Sequence, residues 1–341
     1  MSDAQQTPLL SLQQISKSFG PRPDWIERLG QKLNLLAPAP RVHALDQASV
    51  DIFKGEVVGL VGESGCGKST LGRIAAGLYG ADEGRILWKG EDLSHLTPEQ
   101  RRQRRLGIQM IFQDPYASLN PRLRVRDLIG EAPVVHGLVK AAERHDFVAR
   151  MLDQVGLDPS MADRYPHQFS GGQRARIGIA RALAVNPEFL ICDESVAALD
   201  VSIQAQVLNL FIKLRHELNL TYLFISHDLS VVQHVSDRVV IMYLGRIVES
   251  APVDELFFHA NHPYTQALLA EAPSLKVEKK RYLAIKGEIP SPLDPPSGCH
   301  FHPRCPHAGP RCKAEAPALK EVAPGHIAAC HLNDLQGVEI A

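Results

Sequence analysis

Long apolar runs are missing from this chain of 341 residues: no stretch of 18 or more occurs, so no segment is expected to cross a membrane as a helix. Net charge is nearly absent too, formally −1 at pH 7, which removes the global basic field expected of a nucleic-acid binder. The first residues, Met1-Ser2-Asp3-Ala4-Gln5-Gln6, lack the basic and apolar regions of a signal peptide and predict a protein kept in the cytoplasm. In that reducing compartment the six cysteines are not expected to pair as disulfides. No internal repeat is visible.

What is present is ordinary in bulk. Apolar residues at 45% and charged residues at 22% suit a globular protein, and the length allows one large α/β domain plus a smaller one. The run Arg101-Arg102-Gln103-Arg104-Arg105 is a local basic feature. It reads first as a solvated helix face, with lipid head groups or a partner as the alternative.

One stretch is not ordinary. Gly62-Glu63-Ser64-Gly65-Cys66-Gly67-Lys68-Ser69-Thr70 fits the phosphate-binding pattern G-x-x-x-x-G-K-S/T. The apolar run Val57–Val61 leads into it as a buried strand, and Leu71–Ala76 follows as a helix. Strand, glycine loop and helix bring bare N–H groups and a helix N-terminus against phosphate oxygens. Lys68 then supplies a point charge to the β- and γ-phosphates, and the Ser69 hydroxyl can reach Mg2+.

Strand-like runs recur at Leu9–Ile15, His43–Ile52, Ile86–Trp88, Ile108–Phe112, Phe189–Cys192, Thr221–Ile225 and Val239–Tyr243. Helical patterns cover Val125–Glu131, Ala141–Val155, Gly172–Val185, Ile203–Leu218 and Leu229–Val235. Alternation predicts a mainly parallel, covered sheet, and the helical stretch from about 114 to 185 predicts a separate helical subdomain. An insert at about 20–40, with Trp25, Ile26, Leu29, Leu33 and Leu36, reads as an amphipathic helix packing on its own domain, a partner or a membrane surface. A boundary near residue 255 divides a first domain, 1–255, from an extension, 256–341. Lys276–Arg281 is a charged break, and nine prolines between Pro290 and Pro324 predict little regular structure there.

Two further signals accompany the phosphate loop. Phe189-Leu190-Ile191-Cys192-Asp193-Glu194 is a buried strand ending in two acids: Asp193 is placed to hold Mg2+ and Glu194 to polarise an attacking water. Ser170-Gly171-Gly172-Gln173 opens a helix with a good N-cap and exposed N–H groups, a second anion site.

With these motifs in order, residues 9–250 resemble the ATP-binding cassette (ABC) ATPases. The resemblance implies an α/β P-loop NTPase fold: a RecA-like mainly parallel sheet, an antiparallel β subdomain and a helical subdomain. It implies ATP and Mg2+ as ligands, with each ATP held between one chain's lysine loop and the Ser170–Gln173 helix end of another. Matching positions then acquire expected roles. Phe19 stacks on adenine; Gln113 touches Mg2+ or water and senses the membrane partner; Asp200 belongs to the loop that communicates across the dimer; His227 contacts the γ-phosphate. Phe169 stands where the family commonly has Leu, and Ala197 where it often has Ser, which removes a hydroxyl that could bond across the dimer.

Cys66 and Cys192 have simple structural explanations, but Cys299, Cys305, Cys312 and Cys330 fall within 32 residues as C-x5-C-x6-C-x17-C. Four thiols in an apolar-poor segment suggest a metal, and spacing alone leaves zinc and an iron–sulfur cluster open. His262-Pro263-Tyr264-Thr265 through Gly298–Pro306 is similar to the C-terminal extension of ATPases from oligopeptide, dipeptide and nickel importers. That resemblance implies a structural [4Fe-4S] cluster on the four cysteines, with Zn2+ as the alternative.

The chain is thus expected to be the ATPase subunit of a bacterial peptide-type importer, at the cytoplasmic face of the inner membrane. Its implied partners are a related but distinct ATPase chain, two transmembrane permease subunits and, through them, an external solute-binding protein. Nickel or another small solute is the alternative cargo. The rival is a soluble cassette acting on ribosomes or nucleic acid; such members usually carry two cassettes or long coiled-coil insertions, and this chain has neither.

Overall fold

The computed structural model describes residues 7–21, 40–114, 116–271 and 287–334. The helix expected between Trp25 and Leu36 and the charged break at Lys276–Arg281 lie outside the described residues.

An antiparallel sheet comes first. β1 (Leu10–Phe19) pairs with β2 (Val42–Ile52) on one side and β4 (Glu83–Trp88) on the other, and β4 turns into the short β5 (Glu91–Asp92). The second sheet is larger. Its middle is five parallel strands: β3 (Val57–Val61), β6 (Ile108–Ile111), β7 (Phe189–Asp193), β8 (Thr221–Ile225) and β9 (Arg238–Tyr243). Every residue of β3, β7 and β8 is buried, which is why these strands read as unbroken apolar runs rather than as alternations. β10 (Arg246–Pro252) folds back antiparallel on β9. A hairpin from the end of the chain, β11 (Lys320–Ala323) and β12 (His326–Ala328), extends the sheet by pairing β12 with β10. The order is β11-β12-β10-β9-β3-β8-β7-β6.

Helices cover this sheet. α1 (Lys68–Ala75) follows β3, and α2 (Pro98–Gly107) precedes β6. Between β6 and β7 lie α3 (Val125–Val135), α4 (Arg144–Gln154) and α5 (Gly171–Leu183), the expected helical region. α6 (Val201–Leu218) and α7 (Leu229–Val235) connect β7 to β8 and β8 to β9. α8 (Val253–His259), α9 (Pro263–Glu271) and α10 (Pro310–Ala314) belong to the last part of the chain. Among the described residues no helix is long and apolar enough to cross a membrane.

Three apolar clusters tie the layers together. One joins α3, α4 and α5 to β7 and β8 through Ile129, Val148, Leu152, Ile177, Leu190 and Phe224. A second fills the space between the two sheets, with Leu10, Leu12, Ile15 and Val50 against Leu60, Ile74, Ile191 and Val240. The third packs Tyr264 and Phe301 of the last part of the chain on Val61, Ile241 and Tyr243.

Several expectations change in detail. Ala141–Val155 is not one helix: a 3-10 turn at Ala141–Glu143 precedes α4. The proline-rich segment is more regular than expected, because its prolines sit where they cost no hydrogen bond. Pro310 opens α10, where an N–H would have no intrahelical partner, and Pro317 and Pro324 flank β11 rather than interrupt it. In α2, Arg101, Arg102, Gln103 and Arg105 form a solvated face, but Arg104 turns inward and donates to the Ala75 carbonyl (2.9 Å). Burial pushes its guanidinium down to about 10.

Candidate nucleotide-binding site

The C-terminal ends of parallel strands are where such sheets gather loops for binding, and here four neighbouring strands, β3, β8, β7 and β6, end together. Each contributes one piece of the site.

β3 runs into the loop of residues 62–67, which turns on glycines. Gly67 has φ 108°, left-handed, and a Cβ there would lie 2.3 Å from the Ala44 carbonyl oxygen; a Cβ on Gly62 would lie 2.1 Å from that of Met242. The backbone can take this path only without side chains at those points. Lys68, the first residue of α1, is buried, and its ammonium donates to the carbonyls of Gly62 (2.7 Å) and Glu63 (3.0 Å). The chain of carbonyls holds the lysine along the loop, on the side where α1 presents its N-terminus.

One residue on, the Ser69 hydroxyl donates to Asp193 Oδ1 at 2.7 Å. Asp193 closes β7 and is 3% exposed; burial raises its carboxyl above the usual range, and the Ser69 hydrogen bond opposes that rise. Two oxygen donors, the Ser69 hydroxyl from α1 and the Asp193 carboxylate from β7, make a donor set suited to a hard cation such as Mg2+.

Glu194 follows at a left-handed φ of 47°, an uncommon conformation for a non-glycine residue. Its backbone N–H is held by the Ile225 carbonyl (3.0 Å) at the end of β8. Its carboxylate accepts from Gln113 Nε2 (2.7 Å), just past β6, and lies 3.4 Å from His227 Nδ1, just past β8. Glu194, read from the acids at the strand end, thus meets Gln113 and His227, which the resemblance implied, at one point.

The remaining expected residues lie elsewhere. Ser170 is the exposed N-cap of α5: its hydroxyl accepts from the Gln173 N–H (3.4 Å), and Gln173 Oε1 accepts from the Ser170 N–H (3.0 Å). This reciprocal capping box fixes the helix start. Gly172 packs so closely that a Cβ would meet Ile203 Cγ2 at 2.4 Å. Among the described residues no hydrogen bond or ion pair joins Ser170–Gln173 to residues 62–69. Asp200 is the exposed N-cap of α6. Phe19 stays 38% exposed at the end of β1, edge-to-face with Tyr79 at 5.7 Å. Tyr79 was not singled out in the sequence; an aromatic just beyond α1 was the available signal.

The four late cysteines line one cavity of about 200 Å³, together with Phe301 and His302. Burial pushes the Cys299 thiol up to about 11, with the neighbouring thiols adding to the rise, and raises Cys305 and Cys330 as well. The expected metal centre on Cys299, Cys305, Cys312 and Cys330 finds no support in the side-chain geometry. Among the described residues no three His, Cys, Asp or Glu side chains converge on a point where one metal ion could sit.

Two stretches of the chain match known families. Residues 45–197 match the family model described as ABC transporter, and residues 248–312 match that described as oligopeptide/dipeptide transporter, C-terminal region. The chain is similar to the oligopeptide transport ATP-binding protein AppF of Bacillus subtilis (strain 168): 52% identical, covering 97% of this chain and 99% of that one. A putative peptide import ATP-binding protein of Brucella ovis is 46% identical over 95% of this chain and 98% of its own. Among solved structures, a dimeric ATP-binding cassette in a post-hydrolysis state with ADP and Pi superposes with a TM-score of 0.60 at 26% identity, covering 72% of this chain and 98% of that one. The structure of cbiO1 from Clostridium perfringens, part of an ABC transporter complex, gives 0.61 at 26% identity, covering 74% and 92%.

Proposed function

The chain belongs to the ABC transporter family, and from that premise we propose how it hydrolyses ATP to power the import of peptides by a bacterial transporter. The observation that carries the reading is the meeting of Ser69, Asp193, Glu194, Gln113 and His227 at adjacent strand ends, in a chain whose last part matches oligopeptide and dipeptide transporters.

In this reading Gly62, Ser64, Gly65, Cys66, Gly67 and Thr70 wrap the triphosphate with backbone N–H groups, and Phe19 stacks on the adenine. Lys68 moves its ammonium from loop carbonyls to phosphate oxygens. Ser69, Asp193 and Gln113 would hold Mg2+, which would supply positive charge at the phosphate oxygens. Glu194 accepts a proton from the attacking water, and His227 holds both that carboxylate and the γ-phosphate in line. Ser170, Gly171, Gly172 and Gln173 serve the ATP of a second chain, across a dimer whose Asp200 loops face each other. The exposed N-cap Ser170, and the absence among the described residues of a hydrogen bond or ion pair to this chain's own loop, support that division of labour.

The second ATPase chain is read as a related, distinct subunit. The permease pair would dock on the groove of about 750 Å³ between the end of α1, β6 and α3, lined by Leu78, Arg105, Met110, Phe112, Leu128 and Val135. Phe112 adjoins Gln113, so docking there would be felt at the site. The chain then works at the cytoplasmic face of the membrane, with residues 256–341 as an extension of the cassette. Capture of the tagged chain from detergent-solubilised membranes tests this: co-purifying permeases and a second ATPase are expected, and ribosomes in their place would reverse the reading.

The four cysteines fit an iron–sulfur cluster better than a single ion. A [4Fe-4S] cube takes its thiolates at four separate corners, and soft sulfur donors round one cavity suit it. When bound it would cross-link a segment with few apolar residues. Anaerobically purified protein is expected to be brown and to contain iron and acid-labile sulfide. Colourless protein with one zinc would sink this assignment.

A further inference from the structure

Glu63 places a carboxylate inside the phosphate loop. It stands beside Gly62, where a carboxylate repels the polyanion the loop is built to hold. Its charge reaches inward: the Cys66 thiol inside the loop, raised first by burial, is lowered by Lys68 and raised again by Glu63.

The structure meets that charge from far along the chain. Arg304, 241 residues later and next to Cys305, forks onto the carboxylate, Nη1 to Oε2 at 2.7 Å and Nη2 to Oε1 at 3.0 Å. The arginine side chain is 5% exposed and that of Glu63 21%, so the pair is largely removed from water. Such a bidentate pair fixes direction as well as charge. Nη1 also donates to the Tyr243 hydroxyl (3.4 Å). A second contact acts on the backbone: the Glu63 N–H donates to the hydroxyl of Tyr264 (2.9 Å), which is fully buried between Tyr243 and Phe301. The same residue's carbonyl accepts from Lys68 (3.0 Å). Side chain, N–H and carbonyl of Glu63 are therefore all engaged, two of them by the last part of the chain.

We propose that Arg304 and Tyr264 are positioning residues for ATP: they hold the first turn of the phosphate loop and neutralise Glu63, so that the C-terminal extension is part of the nucleotide-binding apparatus. This rests on reading residues 62–69 as the ATP loop. Glu63 gives the extension a handle on the loop, and Arg304 removes the repulsion that the handle brings.

Titration of the full chain with a fluorescent ATP analogue tests the proposal. Arg304→Gln leaves Glu63 facing the triphosphate and is expected to weaken binding about ten-fold, the size of coupling seen between contacting residues. Arg304→Gln combined with Glu63→Gln removes the repulsion as well and is expected to recover most of that loss. Tyr264→Phe, which deletes one hydroxyl, is expected to weaken binding about three-fold. Binding by Arg304→Gln equal to wild type would overturn the proposal, as would a double variant no better than the single, which is the pattern of mere packing. Should Arg304→Gln not fold, Tyr264→Phe decides: weaker binding supports the proposal and unchanged binding overturns it. Wild-type chain that binds no analogue would overturn the ATP-loop reading itself.

Discussion

Replacing Glu194 by glutamine is expected to leave ATP bound and to stop its hydrolysis, with kcat lowered by about two to four orders of magnitude. Glutamine has the same shape, can still hydrogen-bond Gln113 Nε2, and can keep the left-handed backbone at φ 47°. What it lacks is an oxygen able to take a proton from water. In the proposed site the affinity for ATP comes from the loop around Lys68 and from Ser69 and Asp193, whose hydrogen bonds the substitution leaves in place. Hydrolysis by the purified complex and equilibrium binding of ATP separate the two effects. A variant that keeps more than a tenth of wild-type turnover would remove Glu194 from the role of base and leave His227 to be examined in its place.

The largest expected effect on stability lies away from the site. His326 in β12 and Glu249 in β10 are both buried, and His326 Nε2 stands 2.7 Å from Glu249 Oε1. Glu255 from α8 faces the other ring nitrogen at 3.5 Å, while Glu249 also accepts from the N–H groups of Asn261 (2.6 Å) and His262 (3.1 Å). The Glu249 hydrogen bond raises the imidazole above its ordinary value, burial opposes the rise, and Glu255 adds to it. A raised histidine stabilises the fold fully below its unfolded value of about 6.5. That contribution is lost as pH rises through the folded value. His326→Ala removes the cation and leaves Glu249 buried with two backbone donors, at a cost of about 3 kcal/mol near pH 6. Denaturant melts of the two proteins from about pH 5.5 to about pH 9, a range that starts below the ordinary histidine value and ends well above it, are expected to differ most at the acid end and to converge as pH rises. A gap that stayed constant with pH would mean that His326 acts by packing alone.

These residues also mark where the sequence was readable and where it was not. β3, β7 and β8 were visible because both faces of each are covered, so burial wrote itself as continuous apolar runs. The start of α5 was visible because Ser170 carries the N-cap chemistry at the end of an otherwise helical pattern. The phosphate loop and the acids at the tip of β7 were visible because each is a short local pattern, whereas His227 was named only through the resemblance to the ATP-binding cassette family. β10 was not, since Glu249 and Ser250 break its apolar run; the carboxylate is tolerated in the interior only because His326, 77 residues away, and two backbone N–H groups receive it. The hairpin of β11 and β12 carries few large apolar side chains and relies on pairing with β10, so no local signal announced it. Arg304 was hidden for the same reason: its meaning depends on a partner 241 residues earlier, and only the fold brings the two together. The cysteines were a different case. Their spacing pointed to sulfur-bound metal, and the fold gathers them round one cavity without closing them on a single ion.

The most direct measurement of the account is peptide uptake into proteoliposomes that carry the transporter purified through this chain. Uptake is expected to require ATP on the face bearing the cassette and to stop when Glu194→Gln replaces the wild-type chain. Uptake that continued at the wild-type rate with Glu194→Gln in place, or that proceeded without ATP, would contradict the claim that hydrolysis at this site powers import.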